Sequence, residues 1–234
     1  MSVVIARAVR DDERVGIGVN SPIPAAGVLL ARRLHAPRVQ VRLRGIGDAV
    51  PFIGSKEFFD LAQRGKLDLF FLSGVQIDPR GRINLHRAGG RRFPGAFGSA
   101  VLYAVVKKVI LFRTDHSPRT FVPRLDFVTA DGSPHFVITP KAVLAPDPGT
   151  GLLELVSFHP GESVESVRAA TGFELPARAD VHETTAPTQR EIETLRGPVY
   201  EEMTAGFPEY VARRMAGAVA VPRLRRGNGS VTLS

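Results

Sequence analysis

Between Phe70 and Tyr103 the chain reads FFLSGVQIDPRGRINLHRAGGRRFPGAFGSAVLY, and this stretch carries the residue pattern most able to do chemistry. The apolar run Leu67 to Leu72 stops at Ser73 and Gly74. A turn at Asp78 to Gly81 and Asn84 follows, then a basic glycine loop from Gly89 to Gly98, then the small residues Ser99 and Ala100. Strand, glycine loop and helix start is how α/β proteins bring backbone N–H groups to a phosphate or a carbonyl oxygen. Neither GxGxxG nor GxxxxGK[ST] can be read here, so a Rossmann fingerprint and a P-loop are both unsupported. Arg91 and Arg92 could fork onto a phosphate or simply lie in a solvated loop. Ser99 lacks a GxSxG context and is not read as a nucleophile. His35, His86, His116, His135, His159 and His182 show no metal spacing, so no metal site is expected. His116 and His159 read as structural hydrogen-bonding groups, and Asp126 as a buried or salt-bridged acid.

The elements that must position this loop follow from pattern. Arg14 to Asn20 reads as a first strand. Ser21 is placed to cap a helix begun by Pro22 or Pro24 and running to Leu34, with Arg32 and Arg33 near its end. Val39 to Leu43 alternates and reads as a second strand. Strand–helix–strand predicts a parallel sheet. Ser55 to Arg64 reads as a helix stopped by Gly65, and Leu67 to Leu72 as the third strand. Ser99 to Ala104 reads as a short helix and Lys108 to Arg113 as a strand. Two extended pieces are expected within Thr120 to Thr129. His135 to Thr139 and Leu152 to Phe158 are expected as an antiparallel hairpin around the turn Pro146 to Gly149. Ser163 to Ala170 and Thr188 to Leu195 read as helices, the second with a Thr188/Glu191 capping box. The expected fold is therefore α/β: an open, mostly parallel sheet with helices on both faces and a short antiparallel addition. Residues 1–200 form the main domain, and 201–234 a C-terminal helix and basic tail.

Composition narrows the function. At 234 residues with 44% apolar composition, the chain can bury a core in one domain. It has no cysteine, which removes disulfides, zinc–thiolate sites and thiol nucleophiles. No signal peptide or membrane span is read, so a cytoplasmic protein without membrane contact is expected. The net charge of +8 calls for an anionic partner, or is only arginine-rich composition. Nucleic acid is not expected, because the arginines are scattered and there is no tryptophan.

The ordered landmarks resemble the beta subunit of family I coenzyme A transferases. Val15 to Asn20 and Arg32 to Pro37 are similar to that family's first strand and its helix ending in Ala-Pro. Gly74 to Asn84 resembles G-A-Q-[IV]-D-x-x-G-x-x-N. Arg92 to Ala100 stands where the family has G-x-G-G-A. His116 to Thr129 resembles H-x-x-x-x-F-x-x-K-[IVL]-D-[FY]-[VL]-T, and Phe158 to Leu175 the terminal H-P-G and T-G-F-[DE] motifs. The resemblance spans roughly residues 12–200.

It implies a partner alpha-type subunit, an acyl-CoA thioester as substrate, no further cofactor, and a site drawn from Gly74, Gln76, Asn84, Gly95, Phe97, Gly98 and Ser99. The family's catalytic glutamate lies in E-[SN]-G just after the second strand, where it forms a glutamyl-CoA thioester. Here the tripeptide is Leu43-Arg44-Gly45, so Leu43 or Arg44 stands at the glutamate position and neither can form an acyl anhydride. Phe97 replaces a loop glycine, which would narrow the acyl or pantetheine channel. Three readings follow: hydrolysis or ring opening of a CoA thioester, as in the steroid ring-opening branch, with a carboxylate supplied from elsewhere; exchange by a displaced carboxylate such as Asp48 or Glu57; or an inactive CoA-binding or partner-stabilising subunit.

Overall fold

The computed structural model describes residues 1–18, 20–42 and 55–215. The N-terminal half runs α1 (Ser2–Ala8), β1 (Arg14–Gly16), α2 (Pro22–Leu34), β2 (Gln40–Arg42), α3 (Ser55–Gln63) and β3 (Leu69–Leu72). Two small hairpins follow, β4 (Gln76–Ile77) with β5 (Ile83–Asn84) and β6 (Arg87–Ala88) with β7 (Arg91–Arg92), leading into α4 (Ser99–Val105). Then come β8 (Lys108–Phe112), β9 (Phe136–Ile138), β10 (Ala142–Pro146), β11 (Leu153–Phe158), α5 (Val164–Ala169) and β12 (Ala177–Glu183). The described chain ends in α6 (Gln189–Thr194), a wide turn at Leu195–Val199, α7 (Tyr200–Gly206), α8 (Pro208–Tyr210) and a second wide turn at Val211–Met215.

The main sheet has the order β12-β11-β10-β9-β8-β3-β1-β2. Every strand in it except β10 points the same way, with β10 antiparallel to both β9 and β11. This is the expected mostly parallel sheet. β3 is Leu-Phe-Phe-Leu and wholly buried, as a central parallel strand covered on both faces must be. Its side chains alternate between two cores. Leu69 and Phe71 join Ile110 of β8 on the face covered by α1, α2 and the C-terminal helices. Phe70 and Leu72 join Val109 and Leu111 on the face covered by α3, α4 and α5. On the first face α1 lies close against α2 at Gly27, where a Cβ would stand 2.5 Å from a methyl of Ile5. Met203 and Val211, in the segment beyond position 200, are buried in that same core.

Four local expectations change. The hairpin around Pro146 to Gly149 is β10 with β11, not residues 135–139 with β11. β9 pairs parallel to β8, and Ala142 to Pro146, a short run of small and aliphatic residues ending in proline, supplies the extra strand. Thr120 to Thr129 forms no named strand: it is a loop pinned by single bridges, Ile77 to Phe121 and Ile83 to Ala130. Asp126 is exposed, and its carboxylate accepts from the Gly89 N–H at 2.8 Å, with no ion pair among the described residues. Ser21 is the N-cap of α2, but its hydroxyl makes no capping bond. Pro24 occupies the third helical position and has no N–H to offer it. Other caps form as predicted. Gly65 ends α3 at φ 64°, with the Lys66 N–H on the Leu61 carbonyl at 2.8 Å, and Thr188 and Glu191 close a capping box on α6. The strand predicted to reach Leu43 is described only to Arg42, and Leu43, Arg44, Asp48 and the basic tail from Pro222 lie outside the described residues. Among the described residues no helix is long and apolar enough to cross a membrane.

Candidate functional site

Strand order places the site. The chain leaves β1 through α2 to β2 on one side, then returns through α3 to β3 on the other. Adjacent strands whose connections diverge leave a crevice at their carboxyl ends, where open α/β sheets bind ligands. A cleft of about 690 Å³ lies there, within the range of small-molecule sites. Its floor is Ile17 and Gly18 after β1, Phe70 to Ser73 of β3 and its exit, and Phe112, Arg113 and Thr114 at the end of β8. Phe58 of α3 and Leu102 of α4 form one wall. Asn20, Ser21 and the first turn of α2 form another, and Leu85, Phe97 and Tyr210 reach the rim.

The walls are mostly apolar, and no aspartate or glutamate is among the described residues that line them. Arg113 is the cation there. Its Nε is buried and has no hydrogen-bond partner among the described residues. The first turn of α2 holds no acidic residue to offset its N-terminal partial charge. The cleft is thus an apolar chamber whose described lining includes one cation, Arg113, and the N-terminal turn of α2.

The residues singled out from sequence divide into two groups. Phe97 and Ser99 line the cleft. Phe97 is 74% exposed, has φ 46°, and leans on Phe59 with ring centroids 5.3 Å apart. A side chain held at positive φ is strained, so the phenyl ring is displayed at the rim at some cost. Ser99 spends its hydroxyl on the Ala96 carbonyl at 2.6 Å. Gly74, Gln76, Asn84, Gly95 and Gly98 are not part of the lining. Asn84 is fully buried: its amide donates to Gln76 Oε1 at 2.7 Å and to the Arg87 carbonyl at 2.5 Å, while its own oxygen accepts from the His86 N–H. Gln76 Oε1 also accepts from the Asp126 N–H at 3.1 Å. These two amides brace the hairpins that carry the glycine loop. Gly98 is required by packing, since a Cβ there would fall 1.9 Å from the Phe59 ring. Gly95 holds φ 108°, a turn open to glycine. Arg91 and Arg92 are exposed on β7 and do not reach the cleft.

His116 and His159 are spent internally. His116 is buried between the hydroxyls of Thr139 and Thr171 at 2.8 and 3.0 Å and stacks on Phe121. Burial pushes its imidazole down to about 4. His159 lies between Thr184 Oγ1 and the Thr139 carbonyl, and burial lowers it too. Neither faces the cleft. Arg113 and the Asn20–Ser21 corner were missed by sequence reasoning. The available signal was an arginine directly after the apolar run of β8, at the end of the strand where ligands bind.

A doubly wound sheet with a ligand crevice at its switch point is a class that hosts many chemistries. Comparison with known proteins narrows it. Residues 49–170 match the family model for coenzyme A transferase. The chain is 30% identical to the beta subunit of the 3-oxoadipate CoA-transferase of Pseudomonas knackmussii, over 84% of this chain and 90% of that one. It is 26% identical to the beta subunit of the glutaconate CoA-transferase of Acidaminococcus fermentans, over 83% and 89%. Among solved structures, the decarboxylase AibA/AibB superposes with a TM-score of 0.74 at 26% identity, covering 83% of this chain and 91% of that one. The chain belongs to the coenzyme A transferase family and is of its beta-subunit type.

Proposed function

We propose that this chain is one half of a two-chain enzyme that receives an acyl-CoA thioester in the switch-point cleft and adds water to it, by hydrolysis or ring opening, without passing through a glutamyl-CoA intermediate. One observation carries the reading: the cleft is open and apolar, yet no carboxylate is among its described lining residues. Exchange needs a carboxylate within bonding distance of the thioester carbon. Addition of water needs only a base one hydrogen bond from that water, which a second chain can supply across the cleft mouth. Pro22 and Pro24 carry no N–H and the Ala25 N–H is bonded to the Ser21 carbonyl, so in the first turn of α2 the Ile23 N–H is the donor left to polarise a carbonyl oxygen placed beside it. The two beta-subunit relatives support an alpha-type partner, and the decarboxylase AibA/AibB supports a fold whose chemistry is not confined to exchange.

Exchange by a displaced carboxylate is the second reading, favoured by the 30% identity to a CoA-transferase beta subunit. The two separate in one experiment. The chain is co-expressed with an alpha-type chain encoded beside it, and the complex is given acyl-CoA thioesters in ¹⁸O-water, with and without acetate or succinate. Label in the acyl product, independent of acceptor, is expected. CoA appearing on the acceptor, without water label, establishes exchange instead. Absence of both a complex and thioester binding removes the CoA reading altogether.

A further inference from the structure

β2 is an edge strand of the main sheet, and a pocket of about 510 Å³ lies against it. Among the described residues this pocket shares no lining residue with the cleft. Its described lining holds three arginines, Arg32, Arg33 and Arg42, and no aspartate or glutamate. The carboxylates of this corner are unevenly shared. Arg38, which stands between the lining residues Pro37 and Val39, is met by Asp11 and Asp12 at 2.9 and 2.7 Å. Arg32 and Arg33 both turn to one acid, Glu202 of α7, the second of them at 3.1 Å. Arg42 meets no acid among the described residues, and its Nε is buried without a hydrogen-bond partner. Arg32 and Arg33 lie in the last turn of α2, where the helix dipole favours cations. Arg42 belongs to no helix, so the dipole does not account for it. A buried charged donor without an acceptor is costly, and an anion in the pocket would remove that cost.

We propose that this pocket is a second binding site, separate from the cleft, for the phosphate group of a small solute. Three guanidiniums against the single carboxylate of Glu202 leave two positive charges. A phosphate monoester carries close to two negative charges at neutral pH, whereas a carboxylate offsets one. Planar guanidinium forks match phosphate oxygens in pairs. Pro37, Val39 and Val41 add an apolar wall to the same pocket, against which the organic part of a phosphate ester can lie. Inorganic phosphate and a nucleotide offer the arginines the same group.

The full chain is titrated calorimetrically with inorganic phosphate, AMP, adenosine and acetate at fixed ionic strength. Phosphate and AMP are expected to bind saturably, with adenosine and acetate about tenfold or more weaker, the range of one charge-assisted contact. AMP binding tighter than phosphate supports an ester as occupant, and equal affinities support the phosphate group alone. Arg42→Met is expected to weaken phosphate by about tenfold or more, Arg42→Lys by less, and Arg38→Met not to weaken it. Absence of saturable binding of both phosphate and AMP up to about 10 mM overturns the proposal, and this measurement does not depend on how any variant folds. Acetate as tight as phosphate overturns it too. Equal weakening in Arg38→Met and Arg42→Met reveals a diffuse basic surface in place of a site. Weakening in Arg113→Met with Arg42→Met unaffected puts the phosphate in the cleft, and either result likewise overturns the proposal.

Discussion

At the scale of single residues, the rim of the cleft turns on Phe97. Its backbone lies at φ 46° and its ring is largely exposed, so little of the usual gain from burying an aromatic is collected. Phe97→Gly removes backbone strain of about 1–2 kcal/mol but gives up the contact with Phe59 and adds chain entropy, two losses of about 1 kcal/mol each. The stability change is therefore small, and thermal unfolding is expected to shift by a few degrees at most. Access to the cleft changes more. Calorimetry with thioesters of increasing acyl bulk is expected to show the variant accepting branched acyl groups that the wild type excludes. Identical selectivity in both proteins would mean that the ring guards nothing. Strain at this position could not be read from sequence: FPGAFG permits several turns, and only the closed loop shows which residue takes the positive φ.

At the scale of elements, His116 works as a staple. It follows β8, and its two ring nitrogens meet Thr139 beyond β9 and Thr171 beyond α5. Burial lowers its folded titration to about 4 from the ordinary 6.5. Between those values the unfolded chain takes up a proton that the native chain does not, so stability rises with pH across the window. The stabilisation is complete above about pH 6.5 and is lost as pH falls toward 4, by on the order of 3 kcal/mol at most. Lys141 and Glu162 lie near enough to perturb it in opposite senses, and Asp115 acts in the sense of Glu162. Urea midpoints measured from pH 7.5 to 4 are expected to fall more steeply in the wild type than in His116→Gln. Parallel curves would show that the imidazole is not the group responsible. The structural reading of His116 came from sequence; its two threonine partners, 23 and 55 residues away, did not.

At the scale of the whole molecule, α1 is tied to α6, a helix 184 residues further along the chain. Arg7 of α1 grips Glu191 of α6 through two hydrogen bonds of 2.8 and 2.7 Å and donates to the carbonyls of Thr185 and Ala186. Glu191 at the same time closes the capping box of α6. Glu191→Gln keeps much of the cap and loses the ion pair, so a cost of about 1 kcal/mol at neutral pH is expected, reduced by the partial exposure of Arg7. Arg7→Met removes the bonds to the two carbonyls as well and is expected to cost more, about 2 kcal/mol. Denaturant unfolding of both variants checks the order. Equal and negligible effects would make the clamp a surface contact only. The tie matters for the site because α2, whose first turn lines the cleft, lies under this clamp, packed against α1.

Local chemistry along the chain was enough to establish the class of fold. Runs such as Leu-Phe-Phe-Leu and Lys-Val-Ile-Leu-Phe between turn signals read as buried strands, Gly65 and Thr188 stop and start their helices by backbone rules that act within a few residues, and the order of motifs pointed to the family. Sequence also showed that the Leu43-Arg44-Gly45 tripeptide carries no carboxylate, a matter of residue identity alone. Tertiary structure decided what each motif residue does. Gln76 and Asn84, expected from the resemblance as ligand contacts, bond to each other across the β4–β5 hairpin. Gly98 yields to Phe59 of a helix some forty residues earlier. Arg113, inconspicuous in the sequence, becomes the charge in the cleft because β8 pairs with β3 and ends where the cleft lies. Those outcomes depend on which distant segments come to share one space, and no local pattern of residues encodes that.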